Sequence, residues 1–289
     1  MTQGVESGFE SNRARLFGLA YRMLGSRAEA EDLVQDAYLR WHQTDRQAIR
    51  NAEAWLVTTT TRLAIDRLRA LKTERDAYAG PWLPEPMMHD TAPAPDRHLE
   101  LASDLSIAFL VLLERLAPEE RAAFLLHDVF DFEYAEVASA LDKTEDACRQ
   151  MVHRARTRVR SERKRFVASD ADKSRLLEQF RRAVNAGDQQ ALLELFTPDA
   201  VWTADGGGRV PAAGGRPILG ADRIARLVLG FRDRLRAPGA SVELLTINGE
   251  TGLCLREHGR ISALISIATD GERIHEVYAV LNPEKLPQD

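Results

Sequence analysis

Residues 132–165 read FEYAEVASALDKTEDACRQMVHRARTRVRSERKR, and they predict two short helices joined by a tight polar turn. Tyr134, Val137, Ala138 and Leu141 recur at helical spacing, so the first helix should bury one face. The residues DKT then interrupt the apolar pattern, and we place the turn there. A helical hairpin of this size is typical of DNA-binding motifs.

The second helix of this hairpin has an apolar face and a basic face. Thr144 suits its N-cap, and Glu145 and Asp146 suit its first turn, where carboxylates are favoured. The expected buried residues are Ala147, Met151, Ala155 and Val159. The expected outward residues are Arg149, Gln150, His153, Arg154 and Thr157.

The outward face has the composition of a DNA-reading surface. Arg and Gln can make paired hydrogen bonds to base edges in the major groove, and the trailing arginines can bind phosphates. From Glu145 to Arg165, eight Lys or Arg residues stand against three acids, a local balance of +5. The alternative is an ordinary helical hairpin with a solvated basic face.

The composition of the whole chain limits the classes of protein to which it can belong. Its 289 residues allow two or three domains. The net charge is −5, so free affinity for DNA should be weak without a partner. The two cysteines form no pairing motif, so we expect no disulfide framework, no metal site and no cofactor, in a reducing cytoplasm. We also expect no signal peptide and no membrane-spanning segment, because no sufficiently long apolar run is present.

Residues 28–41 predict a helix with an unusual outward face. Its expected buried stripe is Leu33, Val34, Ala37, Tyr38 and Trp41. The opposite side carries Asp32, Gln35, Asp36 and Leu39. An apolar Leu among acids suggests a contact surface for another protein, with carboxylates facing its arginines. The alternative is a solvated face with one stray Leu.

The next predicted helix, residues 53–71, contains the run AWLVTTTTRLAIDRLRAL. Its core side should hold Leu56, Leu63, Ala64, Leu68 and Leu71. Another face carries Trp55, Thr59, Arg62, Asp66 and Arg69. A row of hydroxyls beside a Trp and arginines suits phosphates and unstacked bases. In the alternative, the Trp belongs to the core and the threonines are filler.

In their order, these parts resemble a bacterial sigma factor of the extracytoplasmic-function (ECF) type over about residues 10–166. AEDLVQDAYLRWH resembles region 2.2, which docks on the β′ clamp helices of RNA polymerase core. AWLVTTTTRLAIDRLR resembles regions 2.3 and 2.4, which melt and read the −10 element. LERLAPEERAAFLLHDVFDFEYAEVASAL resembles region 4, whose recognition helix reads the −35 element. The implied partners are RNA polymerase core, through its β′ clamp helices and β subunit, and promoter DNA.

The resemblance assigns roles to particular residues. It implies core-polymerase binding by Asp32, Gln35, Asp36 and Leu39. For the −10 element, which the family meets partly through the loop at residues 45–52, it implies Arg50, Asn51, Trp55, Thr59, Arg62 and Arg69. For the −35 element it implies Glu145, Arg149, Gln150, His153 and Arg154. For phosphates it implies Arg160 and Arg163.

Residues 76–100 read as a linker with five prolines. Proline at this density forbids helix and favours extended chain, so about 22 residues at about 3.1 Å each can reach roughly 70 Å. Trp82 and Leu83 are unexpected in a solvated linker, and such a pair usually marks a docking site. A local hydrophobic tuck is the alternative.

Residues 172–289 predict helices first and a curved antiparallel sheet after them. The expected helices are one around Leu176–Val184, one capped by Asp188 and running through Phe196, and one over Ala221–Arg236. The expected strands are Ala200–Thr203 and four runs near Val242, Thr251, Ile261 and Ile274, divided by turns at Asn248-Gly249, Gly259 and Asp270-Gly271. This α+β cone resembles the SnoaL-like domains of the NTF2 superfamily.

Three short motifs, WLPEP at 82–86, DGGGR at 205–209 and NPEKL at 282–286, resemble the signatures of the ECF41 group. Glu284 stands where that group often has Asp. In that group the SnoaL-like extension is a built-in regulator, so no separate anti-sigma protein is expected. The implied interdomain regulatory residues are Trp82, Leu83, Glu85, Asp205, Gly206, Gly207, Gly208, Arg209, Asn282, Pro283, Lys285 and Leu286. We expect Arg209 to pair with an acid such as Glu85, and the tail to dock.

An enzymatic role of the cone is a separate hypothesis. Some cones of this type use an Asp base with a Tyr or Asp donor, which makes Asp205, His258, His275 and Tyr278 candidates. Asp205 precedes three glycines and His258 adjoins Gly259, so both read as loop residues. No acid–base pair is evident and we expect no enzyme, while a small ligand in the cone stays an open alternative.

The predicted fold is multidomain, with two all-α domains followed by an α+β NTF2-like (SnoaL-like) cone. The parts are a σ2-like helical bundle at residues 10–75, the linker at 76–100, a σ4-like helix-turn-helix domain at 101–166 and the cone at 172–289. The predicted function is a transcription initiation factor regulated by its own cone. The alternative is a SnoaL-type enzyme or ligand sensor fused to DNA-binding domains that act without polymerase.

Overall fold

The computed structural model describes residues 3–45, 49–88, 105–163, 168–210 and 215–287, with side chains throughout except at 3–7 and 161–163. The described residues fall into two compact units. The N-terminal unit comprises the described parts of residues 1–76 and 112–161. The C-terminal unit comprises the described parts of 77–92, 103–111 and 162–289.

Seven α-helices lie between residues 3 and 163 of the described chain: α1 Gln3–Leu24, α2 Arg27–Gln43, α3 Ala52–Asp76, α4 Ile107–Glu114, α5 Pro118–Phe124, α6 Tyr134–Leu141 and α7 Glu145–Arg163. A π-helical turn, Leu125–Val129, follows α5. Side-chain caps set several of their starts. The Glu29 N–H donates to Ser26 Oγ at the start of α2, and Ala147 N–H donates to Thr144 Oγ1 at the start of α7.

The described part of the N-terminal unit packs these helices around buried apolar faces and the buried arginines Arg22 and Arg121. Helix α1 packs against α2 and α3, and α3 also packs against α5 and α6. Arg121 is 2% exposed, and its guanidinium donates to the Met23 carbonyl and to Glu114 Oε1, at 2.7 Å from the carboxylate. Arg75 also pairs with Glu114. One carboxylate therefore joins the end of α3 to α4 and α5.

The predicted helix-turn-helix is confirmed as α6 and α7. Val137 and Ala138 are buried in α6, whereas Tyr134 and Leu141 are only half-buried. In α7, the predicted Met151, Ala155 and Val159 are buried, and Ala147 is half-buried. Asp142 ends α6 in the left-handed conformation, with φ 54°. The turn therefore begins where the polar residues indicated.

The C-terminal unit is built from four further helices and six strands. The helices are α8 Asp170–Ala186, α9 Gln189–Leu195, α10 Ala221–Gly230 and α11 Arg232–Leu235. The strands are β1 Phe196–Asp205, β2 Ile218–Leu219, β3 Ala240–Ile247, β4 Glu250–Glu257, β5 Arg260–Thr269 and β6 Ile274–Val280. The predicted helix over 221–236 is thus interrupted at Phe231.

A single mixed sheet has the order β2-β1-β6-β5-β4-β3. The antiparallel prediction holds for every pair except β1 and β6, which run parallel. Asn248 and His258 have positive φ beside Gly249 and Gly259, as two-residue hairpin turns require. Helices α8, α9 and α10 pack on the sheet, and their apolar side chains form its core with residues such as Phe196 and Trp202. The parallel pairing brings the ends of β1 and β6 side by side.

Candidate functional site

The outward face of α2 presents the predicted polymerase-binding residues to solvent. Asp32, Gln35 and Asp36 are exposed. The Leu39 side chain is 48% exposed and is one of three large apolar side chains with such exposure among the described residues. The opposite side of α2 is buried, including Trp41 at 5% exposure. Leu39 is therefore an apolar side chain beside carboxylates on a solvent-exposed surface.

The N-terminal half of α3 forms a shallow groove with the end of α2. Trp55 is half-buried, with its ring centroid 5.4 Å from that of Trp41. Thr59 is half-buried, and Arg50 is exposed. Asn51 Oδ1 accepts a hydrogen bond from the Ala54 N–H at 3.1 Å, so Asn51 caps α3. Residues 46–48 of the predicted −10 loop lie outside the described residues.

The threonine run of α3 is only partly available as a contact surface. Thr60 and Thr61 have no exposed surface. Thr61 Oγ1 donates to the Val57 carbonyl at 2.8 Å, a back-bond that satisfies the hydroxyl inside the helix. Helical geometry therefore turns two of the four hydroxyls into the core, while Thr58 and the predicted Thr59 are half-buried.

Two exposed arginines predicted for the −10 element are paired with other groups of the N-terminal unit. Arg62 donates through Nε to the Ala140 carbonyl at 2.9 Å and through Nη2 to the Ser139 carbonyl at 3.0 Å. Arg69 Nη2 donates to Glu119 Oε1 at 2.7 Å. The partners of Arg62 lie in α6, and the partner of Arg69 lies in α5. In this conformation both guanidiniums are paired with groups of the same unit.

The outward face of α7 is exposed, and its arginines are paired with acids of the same unit. Arg149 binds Glu145 at 2.7 Å and Asp146 at 3.0 Å. Arg154 Nε lies 2.7 Å from Glu120 Oε1. Gln150, His153 and Arg160 are also exposed, whereas the side chain of Arg163 lies outside the described residues. The residues predicted to read DNA therefore share one exposed face, on which Arg149 and Arg154 are paired with acids.

In the C-terminal unit, the predicted regulatory residues converge on one buried carboxylate. Asp205, at the end of β1, has no exposed surface. Its Oδ1 accepts from the Tyr78 hydroxyl at 2.6 Å and the Gly207 N–H at 3.1 Å. Its Oδ2 accepts from the Leu83 N–H at 2.9 Å and from Lys285 Nζ at 2.7 Å. Four donors saturate the carboxylate.

Two residues after β6 complete this arrangement. Lys285 Nζ also donates to the Leu83 carbonyl at 2.6 Å and lies 4.1 Å from the centroid of the Trp82 ring, as a cation–π contact. Asn282 Nδ2 donates to the Tyr78 hydroxyl at 2.8 Å. Burial and the acceptor Asp205 both raise the pKa of Tyr78, so the phenol stays protonated. We call the contacts among Tyr78, Leu83, Asp205, Asn282 and Lys285 the Asp205 clasp.

The glycines of DGGGR allow the clasp to close. Gly207 and Gly208 have φ +60° and +70°, a region that favours glycine. A Cβ on Gly207 would lie 2.5 Å from Asn282 Nδ2, and a Cβ on Gly208 would lie 2.7 Å from Ala79 Cβ. Gly206 is buried beside them. The triple glycine therefore brings backbone within contact of both the tail and the linker.

The partner of Arg209 differs from the expectation. Arg209 pairs with Glu284 of the NPEKL tail, and the predicted pair with Glu85 is wrong. The tail position that departs from the ECF41 pattern thus carries a carboxylate to the DGGGR loop. Leu286 is 8% exposed, while Pro283 is exposed.

A second attachment holds the linker further along. Met87 N–H donates to Asn248 Oδ1 at 2.9 Å, and Asn248 N–H donates to the Met87 carbonyl at 2.8 Å. Asn248 Nδ2 donates to the Leu105 carbonyl at 2.9 Å. Residues 77–88 are therefore non-helical, as predicted, but they lie on the C-terminal unit and do not form a free spacer. Residues 89–100 of the predicted linker lie outside the described residues.

Comparisons with known proteins identify the family. Residues 9–74 match Sigma-70 region 2, residues 106–159 match Sigma-70 region 4, and residues 177–280 match the SnoaL-like domain. The chain is 39% identical over 251 residues to the ECF RNA polymerase sigma factor SigJ of Mycobacterium tuberculosis, covering 85% of this chain and 79% of that protein. The chain belongs to the ECF RNA polymerase sigma factors. This ECF sigma factor is a promoter-specific transcription initiation factor with a C-terminal SnoaL-like domain.

One further relative and one solved structure agree with this assignment. The sigma factor is 26% identical over 284 residues to the probable ECF sigma factor SigI of M. tuberculosis, covering 98% of this chain and 94% of that protein. The crystal structure of M. tuberculosis SigJ superposes with a TM-score of 0.76 at 33% identity, covering 96% of this chain and 97% of that one. No helix within the described ranges of this sigma factor is long and apolar enough to cross a bilayer.

The four residues weighed as catalytic are dispersed in the sigma factor. Asp205 is committed to the clasp, and His258 lies exposed in a hairpin turn with φ 53°. His275 Nε2 lies 2.8 Å from Asp270 Oδ2, and the Tyr278 hydroxyl donates to Glu276. Among the described residues, none of the four lines the cavity of the SnoaL-like domain.

Sequence reasoning missed Tyr78 and Asn248 as members of the site. Tyr78 is a single aromatic residue between a helix and the proline-rich segment, and Asn248 was interpreted only as a turn residue before Gly249. The available sequence signal was the Asn-Gly pair at 248–249, which is typical of a turn with positive φ at Asn248. The Asn248 side chain contacts the linker segment at Met87. Partners so distant in sequence leave no local pattern.

Proposed function

We propose that this sigma factor docks on RNA polymerase core through the outward face of α2, reads the −10 element with α3 and reads the −35 element with α7. We also propose that the Asp205 clasp regulates it in place of a separate anti-sigma protein, and that the SnoaL-like domain is not an enzyme. RNA polymerase core and promoter DNA are both found in the bacterial cytoplasm, so we propose that the chain acts in the cytoplasm.

The exposed acidic face of α2 is the observation that carries the docking proposal. A 48%-exposed Leu39 surrounded by Asp32, Gln35 and Asp36 combines an apolar anchor with charges for a basic partner. In the family, this part of the chain docks on the β′ clamp helices of RNA polymerase core. The face is free of intramolecular helix packing, so it needs no rearrangement to bind.

The DNA-reading role involves a change in pairing. Arg62, Arg69 and Arg154 each give hydrogen bonds to carbonyls or carboxylates of the N-terminal unit. Phosphates and base edges would have to replace these partners. With a net charge of −5 for the whole chain, we expect the free factor to bind promoter duplex poorly.

Regulation by the clasp follows from the position of its residues along the chain. The linker joins the α3 part to the α4–α7 part, and the clasp together with Asn248 fixes residues 78–87 on the SnoaL-like domain. A fixed linker leaves fewer residues free to span two promoter elements. Closing or opening the clasp would therefore change how readily both DNA-reading parts engage one promoter.

The docking proposal is tested by Asp36→Arg. We expect loss of binding to polymerase core in co-purification and in fluorescence-anisotropy titration, because like charges would face each other across the interface. The control is Glu194→Arg, which makes the same charge change at an exposed position of α9. Core binding of Asp36→Arg equal to that of wild type would contradict the proposal.

The regulatory proposal is tested by removing the SnoaL-like domain, residues 170–289, and by Trp82→Ala. We expect the deletion to change promoter-dependent transcription strongly. Trp82→Ala should change transcription by the full-length chain and leave the truncated chain nearly unaffected, because its contact with Lys285 is then already absent. Equal effects of Trp82→Ala in both backgrounds would show that Trp82 acts independently of the clasp.

A further inference from the structure

The SnoaL-like domain holds an apolar cavity of about 290 Å³. It lies between helices α8, α10 and α11 and the sheet, and the rings of Phe180, Trp202 and Phe231 contribute to its wall. Small-molecule sites commonly span about 300–1,000 Å³ and are lined mainly by apolar and aromatic groups, so this cavity stands at the lower end of that range.

The charged groups at the cavity are already matched. Arg234 Nε lies 2.7 Å from Glu257 Oε1, and Arg181 Nε lies 2.8 Å from Glu178 Oε2. Ser262 Oγ donates to the Leu255 carbonyl at 3.2 Å. A charged ligand would have to displace one of these pairs, whereas an uncharged molecule with rings fits the aromatic wall without doing so.

The cavity and the Asp205 clasp share two stretches of backbone. Leu281, Pro283 and Leu286 line the cavity, and the alternate residues Asn282 and Lys285 belong to the clasp. On β1, Ala204 lines the cavity and is followed directly by Asp205. The two sites are therefore opposite faces of the same short segments.

We propose that this cavity is an effector site in which a small, uncharged, ring-containing molecule tightens the Asp205 clasp. A ligand with rings would make dispersion contacts with the apolar and aromatic side chains that line the cavity. Contacts to Leu281 and Leu286 then restrict the segment that positions Asn282 and Lys285. Coupling of this kind is reciprocal, so an intact clasp strengthens ligand binding by the same factor.

Binding is tested with N-phenyl-1-naphthylamine, an uncharged aromatic probe whose fluorescence rises in an apolar environment. We expect saturable binding to the full-length protein, weakened at least tenfold by Ala263→Phe and by Val242→Phe, which place a ring in the cavity. Ala171→Phe at an exposed position of α8 is the matched control. Equal probe affinity in wild type and in the folded filling variants would overturn the site.

Two filling variants are needed because their positions differ in burial. Ala263 is 3% exposed and Val242 is half-buried, so Val242→Phe carries the test if Ala263→Phe fails to fold. Folding of each variant is checked by circular dichroism and thermal unfolding before titration.

Coupling is tested on the same protein by amide hydrogen exchange at Leu83, whose N–H donates to Asp205. We expect the probe to slow that exchange, and Lys285→Met to weaken probe affinity by about fivefold or more. If the probe leaves the exchange rate at Leu83 unchanged and Lys285→Met leaves the probe affinity unchanged, the proposed coupling is wrong. That result would not contradict the binding site itself. The regulatory half rests on the proposed role of the clasp. All these measurements are made on the protein without polymerase, so a failure of the polymerase-docking proposal would not affect them.

Discussion

The Asp205 clasp and the outward face of α7 are both built from charges, but they differ in their access to water. Asp205 is fully buried and the Lys285 side chain is 13% exposed. On α7, Arg154 is 50% exposed although its partner Glu120 is 12% exposed. A charge left alone in the interior is costly, because nothing there replaces its hydration. A charge left alone at the surface is solvated at once.

This difference indicates two kinds of task. Breaking the clasp leaves the buried Asp205 carboxylate without its counter-charge. Such a contact suits a regulatory element with two states, closed and open. The ion pairs of α7 can be exchanged for phosphates one at a time, which suits a surface that must release its own acids when DNA arrives. Under the proposed function, the same residue types would hold the linker in one region and exchange partners in the other.

The largest effect is expected from Lys285→Met, which keeps most of the side-chain length and removes the charge. Removing one partner of a buried ion pair typically costs about 3–5 kcal/mol. Opening of the clasp should then become more frequent by on the order of a hundredfold to a thousandfold. Chymotryptic cleavage at Tyr78 and Trp82 measures this opening.

The control for Lys285→Met is Arg209→Ala, which removes an ion pair of the same DGGGR–NPEKL contact. Both side chains of that pair, Arg209 and Glu284, are 62% exposed. Exposed pairs contribute about 0–1 kcal/mol, so the cleavage rate should change by less than about tenfold. Similar rates for the two variants would show that burial does not distinguish the two contacts.

An intermediate effect is expected from Gly208→Ala, which acts on the backbone without removing a charge. A strained backbone position typically costs about 1–3 kcal/mol, and here the added methyl group would also meet Ala79 at 2.7 Å. Faster cleavage at Trp82 is the expected result. Gly215→Ala is the matched control, because nothing lies within 4 Å of its added Cβ.

Adding Ala79→Gly to Gly208→Ala separates the two causes. The second substitution removes the methyl group that Gly208→Ala meets, so cleavage should return part of the way toward wild type. No recovery in the double variant would attribute the whole effect to the positive φ of residue 208.

The smallest effect on stability is expected from Arg154→Ala on α7. Its exposed pair with Glu120 should contribute less than about 1 kcal/mol, so thermal unfolding of the N-terminal unit should barely change. Promoter selectivity of the polymerase complex should relax at one base pair of the −35 element. A large loss of stability with unchanged selectivity would make Arg154 a structural residue.

Local patterns predicted much of the N-terminal unit, and the reason is helical periodicity. Repeats of 3.6 residues separated Met151, Ala155 and Val159 from the outward side of α7. On α3 the same periodicity placed Thr59 on the face of Trp55 and Arg62, and Thr59 is half-buried. The sequence analysis assigned no side to Thr60 and Thr61, which are fully buried.

The C-terminal unit was predictable in its elements and less so in its pairings. Turn residues located the hairpins of β3 to β5, but the parallel pairing of β1 with β6 joins segments that no local pattern connects. The odd Trp82–Leu83 pair predicted docking, and Leu83 is 1% exposed. The sequence could not show that Arg209 pairs with Glu284 or that Tyr78 and Asn248 belong to the site. These contacts join segments that are distant in sequence and meet only in the folded structure.

The contact between Leu83 and Lys285 in the clasp also sets an order of events during translation. Lys285 lies 202 residues after Leu83, so the ribosome must synthesise the whole SnoaL-like domain before the two can meet. At roughly 5–20 residues per second, that interval is on the order of 10–40 seconds. Every newly made chain therefore passes through a period in which the helices up to α7 already exist and the linker is not yet fastened.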